Sequence, residues 1–107
     1  MAHYLVSARP VLSLLDDLES KLQQHAFREL QPFGGALSHS LESARLLPDG
    51  TAVWEEEDYC RPPLAQERAA VLDRYFEELS VELVARGTGW QRIAELPALF
   101  PALIGTR

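Results

Sequence analysis

Asparagine is absent from the 107 residues, Cys60 is the only cysteine, and Lys21 is the single lysine among ten basic residues. A lone cysteine excludes an intrachain disulfide and any zinc motif built from cysteine pairs. Arg in place of Lys and the absence of Asn fit a thermophilic source, and a GC-rich genome leaves the same bias. Long apolar runs are missing too. No stretch approaches the roughly 20 apolar residues of a membrane-spanning helix, and the first residues lack a basic region followed by an apolar core. A cytoplasmic protein with no membrane partner is the expectation. Positive charge is in deficit, with 10 basic against 16 acidic residues and a formal net charge of −6. The basic residues are scattered from Arg9 to Arg107 rather than clustered, which disfavours a nucleic-acid backbone as partner.

Ligand motifs are equally scarce. Gly34-Gly35 stands alone, and Gly87-Thr88-Gly89 lacks the Lys of a phosphate loop, although its amides at a helix start could hold an anion. His3, His25 and His39 show no His-x-x-x-His spacing, and Cys60 has no neighbouring ligand in sequence. No catalytic residue, cofactor or metal site follows from spacing alone. Cys60 reads as a half-buried structural thiol, because the acids around it disfavour a thiolate.

The chain does contain a regular alternation of elements within one domain, residues 1–107. Tyr4, Val6 and Ala8 share one face of a strand over residues 3–8, and Pro10 suits the first turn of a helix. Leu12, Leu15, Leu18, Leu22 and Ala26 recur at helical spacing, predicting a helix that ends near residues 27–30. Over residues 36–47, Leu37, His39 and Leu41 fall on one face of a long strand. Pro48-Asp49-Gly50-Thr51 turns it into a hairpin with a third strand over residues 51–56. Pro62-Pro63 opens a second helix reaching Leu79, with Leu64, Arg68, Val71, Leu72, Tyr75 and Phe76 inward and Glu67 on the outer side. Residues 80–86 read as a fourth strand or as more helix, and the strand is preferred because a third strand needs a partner. Thr88 caps a short helix ending at Leu96, before Pro97, and Phe100, Leu103 and Ile104 pack as a C-terminal segment.

The order β-α-β-β-α-β resembles the ferredoxin-like α/β plait, an α+β fold with an antiparallel sheet and helices on one face, here with a short C-terminal helix added. The resemblance covers roughly residues 3–87 and rests on pattern; no family motif carries functional residues onto the chain, and fold does not supply function. In a plait the first strand lies beside the third, so His3 and His39 are not expected to pair. A plait that binds RNA stacks bases on central-strand aromatics, and only Tyr4 qualifies here, opposite an acidic strand.

Glu55, Glu56, Glu57 and Asp58 form the most informative stretch, between Trp54 and Tyr59. Strand alternation sends Glu55 and Glu57 to one face and Glu56 and Asp58 to the other. Full continuation would bury two carboxylates under the helices, so the strand is expected to stop near Glu56. Glu57 and Asp58 would then serve the start of the next helix, with Arg61 near enough to pair.

Three functions are expected from these features. The first is a non-catalytic homodimer or partner-binding domain that self-associates through an open sheet face or the second-strand edge. The second is a small-molecule site or enzyme in a dimer cleft, with Arg9, His39, Glu55 and Glu57 as its polar groups. There His39 would meet Glu55 or Glu57 across the hairpin as a proton-transfer pair, against the plainer reading of a cross-strand contact. The third is a divalent-cation site within Glu55–Asp58.

Overall fold

Seven residue pairs, from Ala2 opposite Asp58 to Ala8 opposite Ala52, zip the first strand onto the acidic stretch in antiparallel register. In the computed structural model, which describes residues 2–104, these are β1 (Ala2–Pro10) and β3 (Ala52–Asp58). With β2 (Arg45–Leu46) and β4 (Phe76–Val84) they form a four-stranded antiparallel sheet of order β2-β3-β1-β4. The result is an α+β fold. Its helices are α1 (Leu15–Gln23), α2 (Gly34–Glu42), α3 (Ala65–Glu67), α4 (Asp73–Tyr75), α5 (Thr88–Ile93) and α6 (Pro101–Ile104), and a π-turn at Arg68–Leu72 joins α3 to α4. Among the described residues no helix is long and apolar enough to cross a membrane.

The even-numbered residues of β1 and β3 carry the main core. Val6, Ala8, Ala52 and Trp54 meet Leu18 and Leu22 of α1, Leu37 and Leu41 of α2, and Leu64, Leu72 and Tyr75 from residues 64–75. Trp54 is fully buried, its ring centroid 5.0 Å from that of Phe76. The odd-numbered face is covered as well. Leu5 and Val53 pack on Ile93 of α5, with Trp90, Leu47, Val84 and Leu96 around them. Helices therefore lie on both faces, not on one, and the open sheet face expected from the sequence is occupied by α5.

Two further expectations are corrected. Residues 36–47 are not a strand: α2 takes residues 34–42, and β2 keeps only Arg45 and Leu46. Leu37, Leu41 and Ala44 also lie three to four apart, and burying them against the core outweighs the modest helix propensity of the intervening serines and histidine. The hairpin survives in shortened form, through Arg45 opposite Val53 and Leu46 opposite Ala52. Beyond Val53 the outer edge of β3 meets α2, where the Ser40 hydroxyl donates to the Glu55 carbonyl at 2.7 Å. Second, helix gives way to strand at Phe76, not Leu79, and β4 runs over Phe76–Val84. The preference for strand over residues 80–86 holds, with the whole element shifted toward the N-terminus.

The edge at β2 is closed. Leu46 N–H donates to the Pro97 carbonyl and Leu99 N–H to the Ala44 carbonyl, and Arg45 forms a bridge with Ala98. β4 is the remaining edge, and its bulge between the Ser7 and Arg9 pairings coincides with Glu78 at φ 52.

Gly34 and Gly35 separate two roles that look alike in sequence. A Cβ on Gly34 would lie 2.1 Å from the Phe27 carbonyl oxygen, whereas one on Gly35 would meet nothing within 4 Å. Gly34→Ala is expected to destabilise by about 1–3 kcal/mol through overpacking. Gly35→Ala is expected to stabilise by up to about 1 kcal/mol through helix propensity. Urea-unfolding midpoints of the two variants check this opposition of sign.

Candidate functional site

β3 does not stop at Glu56. It continues through Asp58, and the alternation divides its acids between two environments. The four carboxylates do not converge on one ion.

On the odd face, Glu55 is 5% exposed and caps α5. Its Oε2 accepts from Gly87 N–H at 2.8 Å, and its Oε1 from Gly89 N–H at 2.8 Å and Trp90 N–H at 3.2 Å. These are the unsatisfied donors of a helix start, so the carboxylate meets hydrogen bonds and the positive end of the dipole together. The approach needs Gly89, because a Cβ there would lie 2.8 Å from Glu55 Oε1. The anion that the Gly87-Thr88-Gly89 amides could hold is thus the chain's own, and the expected Thr88 cap is replaced, since no side-chain cap bond is made at that end.

The histidine beside these acids is His3, not His39. On β1, His3 stands opposite Glu57. Its Nδ1 lies 3.7 Å from Glu55 Oε2 and its Nε2 3.8 Å from Glu57 Oε2. His39, on the exposed side of α2, sets its ring edge-on to Trp90 at a centroid distance of 6.5 Å. Both histidines nevertheless line one cavity of about 310 Å³, together with Glu55, Glu57, Arg86 and Trp90. Of the four residues expected to form a polar site, His39, Glu55 and Glu57 are brought together. Arg9 is not; it pairs with Glu78 at 3.6 Å. The cavity lies within a single chain rather than between two sheets.

On the even face, Glu56 and Asp58 are buried beneath the helices and joined by Glu67, which is also buried. Glu56 Oε1 accepts from the Trp54 indole N–H at 2.9 Å. Asp58 Oδ2 accepts from Cys60 N–H at 3.0 Å and Leu64 N–H at 2.6 Å. The second bond pins Leu64, buried at φ 65, at the entry to α3. Asp58 thus serves the start of that helix as expected, while Arg61 makes no ion pair with it among the described residues. Glu67, expected on the outer side, lies with Leu64 and Val71 on the inward stripe, and Arg68 points outward to Asp73 at 3.1 Å. Its spacing from Leu64 and Val71 was the available signal; its charge argued the other way.

Burial pushes the Glu56 carboxyl up to about 8, against the Trp54 hydrogen bond and with the charges of Glu67 and Asp58 adding to the rise. Burial and the hydrogen bond to Asp58 raise Glu67 to about 7. For Asp58, burial acts upward, but hydrogen bonds from Glu67 and from the Leu64 and Cys60 amides outweigh it and hold the group below its ordinary range. The Gln66 amide pulls the Cys60 thiol down, while burial and the Asp58 and Glu67 carboxylates prevail and push it up. Asp58, Cys60 and Glu67 each place a donor atom within 4.8 Å of the other two.

No family model, curated protein or solved structure matches this chain.

The buried acids set a pH dependence. Unfolded, Glu56 ionises near its ordinary 4.5; folded, it keeps its proton to about 8. Between those values the folded state binds more protons, so stability is full below the lower value and is lost as pH rises toward the upper one. Glu56 alone contributes a slope of about 1 kcal/mol per pH unit in that window. Glu67 acts in the same direction up to about 7. Asp58 acts oppositely, its contribution vanishing as pH falls through its depressed value. Denaturant unfolding in the presence of a chelator should show stability falling between pH 5 and pH 8, with Glu56→Gln flattening the decline.

Proposed function

We propose that the chain is a small-ligand-binding domain whose site is the cavity between β1, β3, α2 and α5. The convergence of His3, His39, Glu57, Arg86 and the Trp90 ring around about 310 Å³ carries this reading. Such a volume, with an aromatic wall and a few charged groups, is that of a small-molecule site. Glu55 is committed to the α5 amides, so the ligand-facing groups are an exposed carboxylate, two imidazoles and a guanidinium. They suit an amino-acid-sized zwitterion, its amine toward Glu57 and its acid group toward Arg86. Binding is favoured over proton-transfer catalysis because the His3–carboxylate separations of 3.7 and 3.8 Å exceed hydrogen-bond reach. For the scaffold, we read the sheet as a modified ferredoxin-like plait, supported by central β1 and β3 and by helical connections from β1 to β2 and from β3 to β4.

Titration with millimolar free glycine, glutamate and arginine, followed by NMR, tests the proposal. Shifts are expected at the His3 and His39 imidazoles and the Trp90 indole, with buried Trp54 unmoved, and they should vanish in Arg86→Ala. Absence of shifts, or equal shifts at Trp54, overturns it.

A second reading concerns assembly, and here β4 supports pairing between two copies. Leu79, Val81 and Leu83 alternate along it, with Val81 38% and Leu83 69% exposed. Antiparallel pairing centred on Val81 sets Leu79 of one copy opposite Leu83 of the other. The same register opposes Glu78 to Val84 and Glu82 to Ser80, so like charges do not meet across the strands. Light scattering should report a dimer that Leu83→Lys converts to a monomer. A monomer at millimolar concentration without the substitution rejects this assembly.

A further inference from the structure

We propose that Asp58, Cys60 and Glu67 bind one divalent transition-metal ion of the zinc class, with the fourth coordination position open to the cavity beside Phe33 and Tyr59. None of the three ligands lines the His3–His39 cavity, which shares only Ala36 and Glu57 with the cavity beside Phe33 and Tyr59, and the proposal does not rest on the ligand reading above.

Geometry comes first. The three donor atoms lie within 4.8 Å of one another, and Cys60 Sγ is 3.8 Å from Glu67 Oε1. A tetrahedral zinc with oxygen at about 2.0–2.2 Å and sulfur at about 2.3 Å sets its donors about 3.3–3.7 Å apart. Closing the triangle asks for side-chain movements of about 1 Å or less. Asp58 is already oriented from behind, since its Oδ2 accepts from the Cys60 and Leu64 amides. Outer bonds of this kind fix a ligand before the metal arrives.

An independent observation points to a missing partner. Glu67 is 0% exposed, and its Oε2 makes no hydrogen bond. Glu56, 1% exposed, likewise has an unpartnered Oε2. Among the described residues no Arg, Lys or His forms an ion pair with Glu56, Asp58 or Glu67. Glu67 has one carboxyl partner, the Asp58 carboxylate, and no counter-charge, so a cation between the two would offset a desolvation cost that their shared hydrogen bond meets only in part.

The donor set selects the ion. The two carboxylates would take many divalent ions, but the thiolate is too soft for Mg²⁺ or Ca²⁺, and the set as a whole suits Zn²⁺ or its surrogate Co²⁺. On binding, the Cys60 thiol and the Glu67 carboxyl release their protons to solvent, and the ion takes their place. Three protein ligands leave one position for water, and the adjoining cavity of about 490 Å³ gives that position access. The competing occupant is a proton shared between Asp58 and Glu67.

Co²⁺ titrated into the metal-free, reduced chain separates these possibilities. One equivalent should produce thiolate-to-cobalt charge-transfer absorption that Zn²⁺ displaces. Cys60→Ser should abolish the band, and His3→Ala should leave it unchanged. Glu67→Gln, which conserves volume, should weaken Zn²⁺ binding by at least about 100-fold, the upper end of what losing an outer partner does. No band in the unsubstituted chain leaves the shared proton as the occupant and overturns the proposal. So does a band that survives Cys60→Ser, or unchanged Zn²⁺ affinity in Glu67→Gln.

Discussion

The register between β1 and β3 is the constraint on which the other features depend. Once Ala2 to Ala8 pair with Asp58 to Ala52, every side chain of β3 has an assigned face, and a one-residue slip would exchange them all. Such a slip would bring Trp54 and Val53 out of their separate clusters and reverse the placement of four acids. The apolar residues hold the register; the acids must then be accommodated where it leaves them. They are accommodated by three different means: backbone amides for Glu55 and Asp58, the Trp54 indole for Glu56, and partial exposure beside His3 for Glu57.

Ending β3 at Glu56 would spare one burial, yet the longer strand is the structure adopted. The comparison turns on what each carboxylate gains. An ionised group accepting amide hydrogen bonds gains about 1.5–3 kcal/mol per bond, comparable with the penalty for removing it from water. Glu55 accepts three such bonds and in return anchors α5, a helix of six residues that could not persist alone. That helix covers the face which a four-stranded sheet would otherwise leave wet. Burial of a charge is in this case the means by which the second layer attaches.

Much of the scaffold was legible in the sequence. The turn at Pro48–Thr51, the alternation of Tyr4, Val6 and Ala8, and the strand character of residues 80–86 all report local chemistry that tertiary contacts reinforce. Residues 36–47 failed because Leu37 and Leu41 satisfy both periods, and only packing against Leu18, Leu22 and Trp54 decides between them. The site was partly legible for the same reason. Glu55 and Glu57 share a face by alternation alone, so their meeting in one cavity was foreseeable. The histidine beside them followed from the same order, which sets the first strand against the third, but assigning His39 to the hairpin strand drew the contact to the other edge of β3. Glu67 was invisible because charge outweighed spacing in choosing the inward face of residues 64–75. Its burial depends on Asp58 and Cys60, which reach it only after β3 has been extended.

The two buried faces also differ in what the fold requires of them. Replacing Glu55 with an apolar residue would orphan three amides at the start of α5, so its carboxylate is structural whatever else the cavity does. Among the described residues Glu56 and Glu67 hold no other residue's backbone amide and serve single side chains instead, the Trp54 indole and the Asp58 carboxylate. Each has an oxygen with no hydrogen bond, although an apolar replacement of Glu56 would orphan the buried Trp54 indole N–H. Hydrogen bonding to Trp54 explains one oxygen of Glu56, and the Cys60 thiol touches one of Glu67. The remaining pair has no role in holding sheet to helix. Holding the fold together therefore accounts for Glu55 and for Asp58, whose oxygens satisfy backbone amides, and leaves one oxygen each of Glu56 and Glu67 outside that account.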